Sequence, residues 1–189
     1  MEENMPLMVI ENNEEVLSEW LLLEYKHSLD IWANILFSNI PPLWKQNSVF
    51  RSSTTKHIYD KFPDKTFIVL DPSAEEELSP LDFYDIDGII VGGILGNEKF
   101  TGKTKKYISD NVKNKKTRNL GKIQLPIDIA VFVAKMIYLG IPLKSIELTK
   151  EVELEWDEGD STILPYGYPI IDGKIIITPG LIEYLKKNR

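Results

Sequence analysis

From Asp87 to Gly96 the chain reads Asp-Gly-Ile-Ile-Val-Gly-Gly-Ile-Leu-Gly, and this run limits what the chain can fold into more than any other. Ile89, Ile90 and Val91 carry β-branched side chains that suit a packed, pleated surface, so the run predicts a buried strand. Gly92, Gly93 and Gly96 follow without a Cβ, so the backbone there can approach a ligand closely or take positive φ. In an α/β sheet, a strand that delivers such a loop to its carboxyl edge builds a small-molecule site.

The 189 residues fit one domain, residues 1–189, with length enough for a substantial core. No apolar run approaches the roughly 20 residues that a membrane span needs. Met1-Glu2-Glu3-Asn4 is acidic and lacks the basic start of a signal peptide. With no cysteine there is no disulfide, thiolate nucleophile or thiolate ligand, and His27 and His57 alone make a histidine metal site a poor expectation. A cytoplasmic protein without a metal is therefore expected.

The net charge of −7 argues against broad, nonspecific nucleic-acid binding. Yet Lys99, Lys103, Lys105, Lys106, Lys113, Lys115, Lys116, Arg118 and Lys122 stand against only Glu98 and Asp110 in one segment. This is either a solvated lysine face or a basic rim beside the ligand loop. Its counterpart, Glu151 to Glu158, alternates like a half-exposed strand, and reads as a wet face or a landing surface for a basic substrate.

Periodicity predicts a strand over Pro6–Ile10, a helix from Glu14 through Leu29, and a short strand from Ile35 to Ile40 stopped by Pro41-Pro42. Gln46 to Phe62 reads as weakly helical, Thr66–Leu70 as a strand, and Ser73-Ala74-Glu75-Glu76 as a helix start capped by Ser73. A lysine-rich helix follows near Lys103–Asn111, then a short strand at Lys116–Arg118. Pro126–Leu139 is the clearest helix, with Gly140 as its stop. Ile146–Glu155 and Ile163–Ile177 read as extended, with a turn at Asp172-Gly173, before a last helix from Pro179 to Lys187. The alternation predicts an α/β fold with a largely parallel sheet flanked by helices.

The glycine run invites a nucleotide reading, and spacing removes it. Five residues separate Gly96 from Gly102-Lys103-Thr104, one more than a phosphate loop holds, and Gly92-Gly93-Ile94-Leu95-Gly96 does not give the dinucleotide fingerprint. Downstream, Gln124 and Asp128 lie around the start of an apolar helix. Asp128 either complements the helix dipole or belongs to a loop that reads an adenine edge.

Taken together, Ile10-Glu11, Leu17-Ser18-Glu19-Trp20 with Leu23-Glu24-Tyr25, Leu70-Asp71-Pro72, Val91 to Gly96, Arg118 with Leu120-Gly121, Gln124, Asp128 and Ala130 form an ordered series. Leu164-Pro165-Tyr166 and Ile177-Thr178-Pro179-Gly180 extend it. The series resembles the SPOUT methyltransferase superfamily, in the archaeal and fungal subgroup that includes a protein arginine N-methyltransferase. It runs from about residue 9 to residue 187. Where that subgroup follows its glycine loop with an acidic residue and arginines, this chain has Asn97, Thr101 and Lys103.

The resemblance implies a C-terminal trefoil knot and S-adenosylmethionine as cofactor, held by three loops. Carried over by position, these are Leu70, Asp71 and Pro72; Gly92, Gly93, Ile94, Leu95 and Gly96; and Arg118, Asn119, Leu120, Gly121, Gln124 and Leu125. Carboxylates suit a guanidinium acceptor, which they can grip as a bidentate fork, and Glu11, Glu19 and Asp128 are the expected catalytic residues. Glu24 matches too, with helix solvation as an equal reading. The implied partner is a basic, ribosomal protein. An RNA methyltransferase and a noncatalytic assembly factor are the other readings, with a monomer or a homodimer in each.

Overall fold

The computed structural model describes residues 5–95, 102–156 and 159–188. Five strands make the main sheet: β1 (Leu7–Asn12), β2 (Ile35–Ser38), β3 (Phe67–Leu70), β4 (Gly88–Gly93) and β5 (Lys115–Arg118). Their order is β2-β1-β4-β3-β5 and every pairing is parallel. The parallel α/β expectation holds.

A parallel sheet is covered on both faces, so its central strands are apolar without alternation. In β1, Met8 and Ile10 enter one core while Val9 enters the other, and all three are fully buried. Helices α1 (Glu19–Ile31) and α4 (Ile127–Tyr138) pack together on the first side, and Leu21, Tyr25, Ile129, Val133 and Ile137 fill the space between them and the sheet. On the second side Ile58 of α2 (Ile58–Lys61) and Ile108, just past α3 (Lys103–Tyr107), meet Val9, Val69 and Ile90. Lys115 and Lys116 lie exposed on edge strand β5, where charge discourages pairing with another chain. Those lysines belong to the solvated face of the basic segment.

Several local expectations change. Helix α1 starts at Glu19 rather than Glu14, because the Glu14 N–H donates to Asn12 Oδ1 (3.3 Å) and the Asn13 N–H to the Gly93 carbonyl (3.0 Å). Ser18 then caps the helix by accepting from the Leu21 N–H at 3.1 Å. No helix opens at Ser73, whose N–H and hydroxyl both turn back to Asp71 Oδ1 (2.9 and 2.7 Å). Gln46–Phe62 is not one helix: two single 3₁₀ turns precede α2, and Thr54 exchanges backbone hydrogen bonds with Phe37 and Ile40 beside β2.

The C-terminal third forms two antiparallel hairpins rather than long strands, β6 (Val152–Glu155) with β7 (Ser161–Leu164), and β8 (Ile170–Ile171) with β9 (Lys174–Ile175). Glu153 and Glu155 are exposed on β6, while Asp157 and Glu158 lie outside the described residues. Asp172 and Gly173 turn the second hairpin, both with positive φ as a two-residue turn requires. Helix α5 (Leu181–Lys187) begins two residues later than expected, after Gly180 at φ 83°.

Candidate active site

The carboxyl ends of β3 and β4 open into a pocket with about 900 Å³ of open space, its mouth included. Residues from three chain segments wall it: residues 70–73 at the end of β3, Val91, Gly92, Ile94 and Leu95 at the end of β4, and several residues between Leu120 and Ala130 on the way into α4. Gly102, Lys103 and Thr104 close the side toward α3. Most of the wall is apolar, which suits an adenine-sized ring better than a polyphosphate.

Of the residues expected to hold a cofactor, Leu70, Asp71, Pro72, Gly92, Ile94, Leu95, Leu120, Gly121, Gln124 and Leu125 line this pocket together. Gly96 lies outside the described residues. Gly93 does not line it. A Cβ there would meet the Tyr25 hydroxyl at 2.6 Å and the Asn12 Cα at 3.0 Å, so this glycine lets β4 close against α1 and β1.

Arg118 and Asn119 brace the wall and do not line it. Arg118 grips Asp82 through Nε (3.0 Å) and a second guanidinium nitrogen (2.8 Å), and reaches Glu76 at 3.0 Å. Burial pushes the Asp82 carboxyl up, but hydrogen bonds from Arg118 and Ser79 outweigh it and hold it below its ordinary value. Asn119 donates to the carbonyls of Ala74 and Glu76 and accepts from the Gly121 N–H at 2.8 Å.

Ser73, Val91, Gly102, Lys103, Thr104, Ile127 and Ala130 line the pocket without having been expected to. Ala130 sits one helical turn beyond Ile127 of α4, a spacing that marks one face and could have found it. Glu14 carries no such signal: its Oε1 accepts from the Leu95 N–H at 2.9 Å and so fixes the glycine loop from 81 residues away.

The expected catalytic carboxylates do not converge. Glu11 is fully buried at the end of β1, and its oxygens accept from the Ser38 hydroxyl, from His57 Nδ1 (2.5 Å) and from the Ile58 N–H (3.0 Å). Glu19 is exposed in the first turn of α1. Asp128, also fully buried, binds the Thr178 hydroxyl (2.7 Å) and His27 Nδ1 (2.6 Å) through Oδ2, while Oδ1 has no hydrogen-bond partner among the described residues. None of the three is among the residues that line the pocket.

Asp128 belongs to a buried polar cluster behind the pocket wall. Glu24 accepts from Trp20 Nε1 (2.6 Å) and from the Ile127 N–H (2.9 Å), which ties α1 to the first turn of α4. Burial, and then the neighbouring Asp128 charge, push the Glu24 carboxyl up to about 8. The same two acids, after burial itself, push the Tyr168 hydroxyl well above its ordinary value.

Tyr168 follows Gly167, which packs on the wall from outside. The Gly167 N–H donates to the Gln124 carbonyl at 2.9 Å, and a Cβ there would stand 2.7 Å from Ile123 Cγ2 and 2.9 Å from Leu125 Cδ2. Gly167→Ala is expected to push this loop inward, costing about 1–3 kcal/mol of stability and roughly tenfold in cofactor affinity. Thermal melts and calorimetric titration check both.

The sheet and its three-walled pocket define a methyltransferase fold of the SPOUT type. A family model described as protein arginine N-methyltransferase SFM1-like matches residues 7–189, and the chain belongs to that family. It is 26% identical over 200 residues to the protein arginine N-methyltransferase SFM1 of Saccharomyces cerevisiae, covering 95% of this chain and 94% of that one. The crystal structure of yeast SFM1 complexed with SAM matches with a TM-score of 0.86 at 27% identity, over 100% of this chain and 93% of that one. A Trm10 structure from Thermococcus kodakaraensis shares the fold, with a TM-score of 0.57 at 15% identity over 73% of this chain and 95% of that one.

Proposed function

We propose that this chain transfers the methyl group of S-adenosylmethionine to an arginine side chain of a basic protein, a ribosomal protein being the expected class. The observation that carries the reading is the pocket: segments from three separate parts of the chain meet in one apolar cavity at the sheet's carboxyl edge. The cofactor fits this lining. A Cβ at Gly92 would meet Ile108 Cδ1 at 3.2 Å and Thr104 Oγ1 at 3.5 Å, so glycine is what keeps the β4 end this close to α3 in the pocket wall. When bound, the cofactor supplies an electrophilic methyl group on a sulfonium. Leu95, Leu120 and Leu125 enclose its adenine, and Asp71 holds its own loop by accepting from Ser73 and from the Ser109 hydroxyl at 2.5 Å.

An acidic segment adjoins the pocket's glycine loop through Glu14. Glu14 is fastened to Leu95, and Glu15 and Glu19 are exposed beyond it. Their charge favours approach of a basic acceptor. Glu19 is the carboxylate assigned to the guanidinium, and Asp128 acts through the α4 start that it buttresses. Glu19→Gln is expected to lower kcat/KM for the protein acceptor about tenfold, with S-adenosylmethionine affinity changed less than twofold. Equal loss of both would overturn the role of Glu19.

The trefoil knot, the cytoplasmic location and a monomeric or dimeric state complete the proposal. One observation favours an RNA acceptor instead: Lys103 lines the pocket and Lys105 and Lys106 are exposed beside it. Calorimetry with S-adenosylmethionine, ATP and GTP tests the cofactor reading, with heat expected for the first alone. Heat from a nucleoside triphosphate and none from S-adenosylmethionine would contradict it.

A further inference from the structure

A fully buried carboxylate is costly unless it is hydrogen-bonded, and Glu11 has three donors around it. The Ile58 N–H explains one of them, since Glu11 thereby caps α2 from β1. It does not explain the 2.5 Å contact with His57, whose own side chain caps nothing and stays 35% exposed. The imidazole lies flat against Tyr59, with ring centroids 4.8 Å apart and planes within 9°. It is held in place from two sides and open on a third.

Its position relative to the pocket follows from register. Glu11 pairs with Gly92 across β1 and β4, so their Cα atoms are about 5 Å apart. Val9 and Ile90 share the core on the α2 and α3 side, and Glu11 and Gly92 lie two residues further along the same two strands. Side chains two apart share a face. Glu11 therefore stands on the same face and at the same level as Gly92 of the pocket wall, on the neighbouring strand, and His57 touches its carboxylate.

A guanidinium that gains a methyl group must lose a proton, because its nitrogens are protonated before and after the transfer. An imidazole whose Nδ1–H donates to a carboxylate presents the Nε2 lone pair and is stabilised as the cation once it takes a proton. We propose that His57, oriented by Glu11, takes that proton. The proposal rests on the methyltransferase reading above. The acceptor nitrogen's lone pair forms the new N–C bond while the C–S bond breaks toward sulfur. One N–H proton passes to His57 Nε2 and then to water, so charge and atoms balance.

His57→Ala is expected to lower kcat by about 100-fold or more, with S-adenosylmethionine affinity by calorimetry within threefold of the unaltered protein. Added imidazole is expected to restore at least tenfold of the loss, which a purely structural role would not allow. A second readout needs no turnover: nitrogen NMR of the His57 ring is expected to show the Nδ1–H tautomer, lost in Glu11→Gln. Unchanged kcat in His57→Ala, or a deficit that imidazole does not touch, overturns the assignment to His57. Absence of methyl transfer by the unaltered protein to any protein acceptor overturns the parent reading instead.

Discussion

Ala130→Phe is expected to weaken S-adenosylmethionine binding by at least about 100-fold, or roughly 2.7 kcal/mol, while the protein stays folded. Ala130 faces the pocket from the first turns of α4 and is only half-buried, so a ring there enters the cavity and spares the core. Its neighbours Ile129 and Val131 are fully buried and hold the helix on the sheet without it. Isothermal calorimetry reads the affinity and a thermal melt reads the fold. Normal affinity in Ala130→Phe would place the cofactor somewhere else.

The second large effect concerns Glu24. Its carboxyl rises from an ordinary value of 4.5 to about 8 on folding, so the folded chain holds a proton that the unfolded chain has released. Stability from this group is fully present below pH 4.5 and declines as pH rises through about 8. The decline is expected to reach several kcal/mol, because each unit is worth about 1.4 kcal/mol.

Glu24→Gln removes the titration but sets an amide N–H against one of two donors, Trp20 or Ile127. That variant is therefore expected to be less stable than the unaltered protein at pH 5, by about 1–3 kcal/mol. It should gain ground on it between pH 5 and 8. Denaturant titrations across that range decide the matter, and parallel curves would mean that Glu24 is ionised in the fold.

The strands were legible because burial on both faces writes unbroken apolar runs, as in β1, β3 and β4, with glycine and proline at their ends, whereas the three pocket loops came from the family resemblance. Element order along the chain then brought the loops to one sheet edge. The internal wiring was not legible. Ser73 reads as a helix cap on local chemistry, but Asp71, two residues back, takes both its donors. Arg118 and Asn119 sit inside a cofactor segment, yet their side chains reach back to Asp82, Glu76 and Ala74.

Glu11 and Asp128 illustrate the same limit. Each is a carboxylate at a suggestive position, and each turns out to be buried against a histidine distant in sequence, His57 or His27. Spacing along one strand or helix says nothing about such long-range partners. Glu14 shows the converse, an undistinguished acid that anchors the glycine loop at Leu95.

A protein arginine as methyl acceptor leaves a direct chemical signature. Purified protein should be incubated with S-adenosylmethionine labelled on the methyl group and a ribosomal extract, with separate protease and nuclease digestion and acid hydrolysis of the labelled product. The label is expected to resist nuclease, to be released by protease and to be recovered as methylarginine. Label that is released by nuclease and absent from methylarginine would contradict it.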